Sequence, residues 1–140
     1  MNKIQVGDHV ETHIAFSQDQ VEEFRQRSGD TNTIHTDPQA AERSAIGSDA
    51  VRSVHGMHAA MIFTQILGTQ FPGDGTVYRS IALDFDEPVL VDTDYVAEVR
   101  VLSVDRKRHR ARLLTIIREA VEPARTVVYG TCLVVHNERL

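Results

Sequence analysis

Along the chain the spacing of apolar residues switches between the period of a strand and that of a helix, and the switches mark out the elements. From His9 to Phe16, Val10, Thr12, Ile14 and Phe16 alternate with His9, Glu11, His13 and Ala15, the pattern of a half-buried strand. His9 and His13 fall on its solvated face. Ser17-Gln18-Asp19-Gln20 has the form of a capping box, with Ser17 capping a helix and Gln20 reaching back to it. That helix is predicted from about Gln18 to Gln26, with Val21 and Phe24 toward the core and an end at Gly29. Thr36-Asp37-Pro38 starts a second, short helix reaching about Ser44, because proline suits a first helical turn and Thr or Asp caps it. Ala45 to Ser53 has no clear period and reads as a loop bordering a possible site.

From Val54 to Gly68 the chain is apolar almost all the way round a helix, with His58, Thr64 and Gln65 as the polar exceptions, so this helix is expected inside the protein. Gly68 and Phe71-Pro72-Gly73-Asp74-Gly75 end it with breakers. Beyond Gly75 everything reads as strand: Val77 to Phe85, Tyr95 to Asp105, Arg112 to Glu119 and Thr126 to His136. Pro88 marks a break, and Arg106-Lys107-Arg108-His109 fits a hairpin turn. Five strands and one buried helix make an α+β domain whose sheet wraps the helix.

Composition narrows the class. At 140 residues the chain suits one domain spanning 1–140, and 41% hydrophobic with 25% charged residues is ordinary for a soluble globular protein. Acids outnumber bases 20 to 15, which argues against nucleic acid as a partner. The single cysteine, Cys132, has no intrachain partner, and a reducing, cytoplasmic setting is expected. The N-terminal residues lack the apolar run of a signal peptide, and no stretch is long enough for a membrane span.

The candidate chemistry lies in Ser28-Gly29-Asp30-Thr31-Asn32-Thr33-Ile34-His35. Gly29 allows a sharp turn that aims the Asp30 carboxylate, Asn32 can fix the turn by bonding nearby backbone, and His35 follows within reach of the same point. An acid and an imidazole that converge can orient and polarise a water molecule. A polar Asx turn with a surface histidine is the alternative.

With this loop, the buried helix and the strand order, the chain resembles the MaoC-like family of (R)-specific enoyl thioester hydratases, which are single hot-dog domains. The resemblance runs from about Phe24 to Val101. It is carried by Ser28 to His35, by Val54-His55-Gly56-Met57 at the start of the helix, and by Val77-Tyr78-Arg79-Ser80 through Phe85 and Glu87-Pro88-Val89. Thr33 stands where the family usually has proline. The segment between His35 and His55 is a few residues longer than is common, with Ala50-Val51-Arg52-Ser53 in place of a Phe-Gly-Arg-Pro-like run. Asp86 and Asp92 stand where residues are often apolar or glycine.

The resemblance implies reversible addition of water to an enoyl thioester, with Asp30, His35 and Gly56 catalytic and Asn32, Val54, His55 and Met57 beside the substrate. Asp30 and His35 would share the proton transfers, without a fixed division between them. Gly56 would offer its backbone N–H to the developing enolate oxygen, with the helix dipole behind it. His55 is equally a structural hydrogen-bonding group, and His58 is assigned to structure. No metal or cofactor is expected, since there is neither a Cys pair nor a His-x-x-x-His spacing on a helix. The expected partners are an acyl thioester of coenzyme A or a carrier protein and, by resemblance, a second copy of the chain. The Arg106 to Arg110 turn reads as solvated, with the phosphates of coenzyme A or an acidic carrier as the alternative. Two other functions stay open: thioester hydrolysis, disfavoured because Met57 to Phe71 contains no Asp or Glu, and non-catalytic acyl binding.

Overall fold

In the computed structural model, which describes residues 2–140, five antiparallel strands lie in the spatial order β1-β3-β4-β5-β2. They are β1 (His9–Ile14), β2 (Val77–Phe85), β3 (Tyr95–Asp105), β4 (Arg110–Glu119) and β5 (Thr126–Val135). The helices are α1 (Gln18–Ser28), the short α2 (Pro38–Glu42) and α3 (Gly56–Gln65), with α3 continuing into a wider turn over Ile66–Gln70. This is the expected α+β hot-dog arrangement, and the strands β2 and β3 have the bounds expected from the sequence.

Local chemistry explains most boundaries. Strand β1 stops at Ile14 rather than Phe16 because the chain turns into the capping box, where Ser17 Oγ accepts from Gln20 N–H and Gln20 Oε1 accepts from Ser17 N–H. Asp37 caps α2 through Gln39 N–H at 2.9 Å, and Pro38 occupies its first position. The segment expected as a loop over 45–53 contains a 3₁₀ turn, Gly47–Arg52. The basic run at 106–109 is the β3–β4 turn, held by Asp105 Oδ1, which accepts from the N–H groups of Lys107 and Arg108. Gly130 is required where β5 crosses β2, since a Cβ there would lie 2.0 Å from the Ala82 carbonyl oxygen.

The core forms between the sheet and one side of α3. Ala59, Phe63, Ile66 and Leu67 pack with Val99, Val101, Leu113, Ile117, Val128 and Val134. The expectation of a helix buried all round needs correction for the single chain. Met57, Met61 and Thr64 lie on an exposed side of α3, with Met57 66% and Met61 56% exposed. Periodicity cannot separate a face covered by the chain's own sheet from one that the chain leaves open. The neighbouring strand β2 is an edge, paired only with β5, and exposes Val77, Ile81 and Phe85.

Candidate active site

The site grows from the end of α1. Gly29 takes a left-handed φ of 73°, and its N–H bonds the Arg25 carbonyl, so the helix stops and the chain reverses. The loop is then tied residue by residue. Ser28 Oγ accepts from Asp30 N–H at 3.2 Å, Asp30 Oδ1 from Asn32 N–H at 3.0 Å, and Asn32 Oδ1 from Ile34 N–H at 3.3 Å. The last of these caps the 3₁₀ turn Thr33–His35, which swings His35 into the interior.

These bonds leave the second oxygen of Asp30 free to face inward. Asp30 Oδ2 lies 3.8 Å from His55 Nε2, with the Asp30 side chain 46% exposed and that of His55 4%. The His55 ring packs on that of His35 at 3.9 Å between centroids, and on Phe24 at 5.1 Å. Among the described residues no hydrogen bond joins Asp30 to His35; His55 touches both. The acid and imidazole thus meet through a third side chain. Sequence spacing could not show this, because His55 arrives from another part of the chain.

The two histidines have different surroundings. His35 Nδ1 has partners at Ser53, the carbonyl oxygen and Oγ each at 3.1 Å. Both ring nitrogens of His55 are buried without a hydrogen-bond partner. Burial, and next the neighbouring His35, hold the His55 pKa below the ordinary imidazole value, with Asp30 opposing them. Burial therefore favours the neutral form of His55. Burial also lowers the pKa of His58, which stacks on Phe24 at 4.9 Å and meets Phe16 edge-on at 5.3 Å. That packing fits the structural role expected of His58.

Gly56 is the first residue of α3, and no side-chain bond caps that end. The N–H groups of a first turn have no partner within the helix and carry the positive end of its dipole. Beside Gly56 and His35 opens a cleft of about 420 Å³, walled by Val54, Val89 and Phe85 and rimmed by Asp49, Asp86 and Glu87. Ala45, Ile46, Asp49 and Ser53 line it, so the loop over 45–53 does border the site. Of the residues expected beside a substrate, Val54 is in the cleft wall and His55 adjoins the acid. Asn32 serves its own turn, and Met57 points into a separate groove of about 620 Å³ between α3 and β2.

Sequence reasoning missed Ser53. The departure of Ala50 to Ser53 from the family pattern marked the segment without marking the residue. Asp86 and Asp92, unexplained in sequence, also gain roles. Asp86 is on the cleft rim, while Asp92 takes a left-handed φ of 54° in the turn before β3, a conformation that aspartate tolerates better than most residues.

An antiparallel sheet curled about one helix, with an acid and two imidazoles at the N-terminal end of that helix, defines a hot-dog domain equipped for acid–base chemistry. The chain belongs to the MaoC-like family: residues 2–121 match the family described as MaoC like domain. It is 34% identical over 114 residues to the (R)-specific enoyl-CoA hydratase of Aeromonas caviae, covering 81% of this chain and 83% of that protein. It is 37% identical over 90 residues to the 3-hydroxybutyryl-CoA dehydratase of Methylorubrum extorquens, covering 64% of this chain and 55% of that protein. The solved structure of the (R)-hydratase from A. caviae involved in PHA biosynthesis matches with a TM-score of 0.83 and 32% identity, covering 95% of this chain and 97% of that one.

Among the described residues no group of three or more His, Cys, Asp or Glu side chains is arranged to hold a metal ion. No helix among them is long and apolar enough to cross a membrane.

Proposed function

We propose that this chain, as one hot-dog domain over residues 1–140, catalyses the reversible hydration of a trans-2-enoyl thioester to an (R)-3-hydroxyacyl thioester. It is a lyase of the kind its relatives are named for. The observation that carries the reading is the gathering of Asp30, His55 and His35 at the uncapped N-terminus of α3.

The chemistry follows from that arrangement. A water held by Asp30 and His35 attacks the β-carbon, and the pair takes its proton and delivers one to the α-carbon. Charge develops meanwhile on the thioester oxygen. The Gly56 N–H, at the positive end of α3, is the donor for it, and the missing side chain lets the carbonyl approach. Val54 and His55 flank the thioester, Asn32 holds the loop that carries Asp30, and Met57 meets the acyl chain. One water adds across one double bond and the thioester stays intact, so the balance needs no cofactor, metal or redox partner.

The same features argue against the competing readings. A hydrolase on this fold would call for a carboxylate on α3, and none lies between Met57 and Phe71. A bare acyl-binding domain would have no use for a carboxylate 3.8 Å from a buried, unpartnered imidazole.

The working unit in this reading is a homodimer. The exposed side of α3 and the edge strand β2 place Met57, Met61, Ile81 and Phe85 along one apolar groove, and a second copy covering it would also pair the free edge. The substrate is a thioester of coenzyme A or of a carrier protein. A reducing cytoplasm suits the buried free thiol of Cys132, whose pKa burial raises to about 12.

The test is loss of the conjugated enoyl absorbance when the protein meets crotonyl-CoA, beside Asp30→Asn and His35→Ala. The wild type is expected to form the (R)-alcohol with the thioester intact, and both variants to lose about 10²- to 10⁴-fold in rate while melting normally. Free thiol release, or full activity in either variant, would overturn the reading.

A further inference from the structure

The role of the 45–53 segment follows from the hydrogen bonds around His35. Ser53 has one hydroxyl proton, and Ser53 Oγ donates it to the Ala50 carbonyl oxygen at 2.7 Å. Its Oγ therefore turns a lone pair toward His35 Nδ1, 3.1 Å away. The second neighbour of Nδ1 is the Ser53 carbonyl oxygen, also at 3.1 Å, and a carbonyl oxygen only accepts. Two acceptors and no donor face this nitrogen. The proton of a neutral His35 must then reside on Nδ1, which leaves the lone pair on Nε2.

We infer that Ser53 is a positioning residue: its hydroxyl and carbonyl together hold His35 as the Nδ1–H tautomer and assign the proton transfers to Nε2. The catalytic half of this inference rests on the hydratase reading; the tautomer does not. It resolves the division of labour that the loop alone leaves open. As the oxygen–carbon bond forms, the water gives its proton to Nε2, and the same Nε2–H then protonates the α-carbon. Asp30 stays a carboxylate and orients the water. The imidazolium formed between the two steps keeps its Nδ1–H on the same two acceptors, so nothing reorganises during turnover.

The frame around Ser53 is rigid enough for this. Its backbone bridges to Leu90, its N–H donates to the Ala50 carbonyl at 3.1 Å, and both Ala50 and Ser53 are buried. The hydroxyl is thereby pinned between a fixed turn and the imidazole. Alanine at 53 would remove one of the two acceptors and leave the other, while threonine would keep both.

The experiment is a long-range proton–nitrogen correlation spectrum of ¹⁵N-histidine-labelled full-length protein at pH 8, with His35 assigned by His35→Gln. Wild type, Ser53→Ala and Ser53→Thr are compared, and crotonyl-CoA hydration and melting curves are run on the same samples. The expected wild-type spectrum has a protonated Nδ1 and an unprotonated Nε2. Ser53→Ala is expected to populate the other tautomer and to lower kcat about fivefold with KM little changed, the effect of one hydrogen bond, and Ser53→Thr to restore both. A wild-type Nε2–H tautomer overturns the inference even if Ser53→Ala does not fold. So does a folded Ser53→Ala that keeps a pure Nδ1–H form and full kcat. If the wild type shows the Nδ1–H form but hydrates no enoyl thioester, the hydratase reading fails and the tautomer assignment stands.

Discussion

The N-terminal end of α3 and the flank of the same helix are built on opposite plans. At the end, the chain closes on itself: Asp30 and His35 from one stretch and Ser53 and His55 from another form a chain of contacts in which the two imidazoles and Ser53 are buried. Along the flank the chain leaves Met57 and Met61 exposed beside an edge strand. Polar groups taken from water need partners at fixed distances, and a single chain can supply those through its own loops. An apolar strip needs only area to cover it, and that area can come from another molecule. In our reading the first region sets the chemistry, and the second sets the assembly and the acyl site.

The sharpest way to break the closed end is Gly56→Val. A Cβ at Gly56 would lie 3.1 Å from Phe85 Cε1, and a branched side chain would extend into the space beside the cleft. The expected outcome is a loss of about 10²-fold or more in kcat/KM for crotonyl-CoA hydration, the scale of one mispositioned oxyanion donor. Phe85 is 45% exposed and can yield, so Gly56→Ala is expected to fold and to lose less. Equal activity in Gly56→Val would remove Gly56 from the mechanism.

The flank is tested by Met61→Asp, which places a charge on the open side of α3. Sedimentation velocity is expected to show a dimer for the wild type and a monomer for the variant, with lower activity in the monomer, since burying an unpaired carboxylate in an apolar interface is strongly unfavourable. A monomeric wild type would sink the assembly.

The smallest expected effect is a pH dependence of stability. His55 and His58 have folded-state pKa values held below the ordinary 6.5, by burial above all. As pH falls below 6.5 the unfolded chain takes up protons that the folded chain refuses, so stability declines from there until the folded-state values are reached. Well above 6.5 both states are neutral at these sites and the contribution is flat. Melting temperature is expected to drop between pH 7 and pH 5, and less steeply in His55→Gln; an equal slope in that variant would remove His55 as a source.

Much of this molecule was decided by contacts within a few residues, and those were legible. The capping box at Ser17, the stop at Gly29, the Asp37–Pro38 start, the hairpin turn at 106–109 and the presence of the strands depend on near neighbours, so the sequence shows them directly. The same holds for Asp30 and His35 as candidates, since the loop that presents them is tied by bonds spanning two residues.

What the sequence could not determine depends on residues that meet only after the sheet has curled. His55 meets Asp30 because α1 ends against the start of α3, and Ser53 meets His35 because the turn over 47–52 packs behind the 3₁₀ turn. Which side of α3 faces the chain's own sheet is likewise a packing outcome, since the helix is apolar on both. Local patterns fix where elements begin and end, and tertiary packing alone decides which face is covered, which nitrogen carries a proton and which imidazole lies beside the acid.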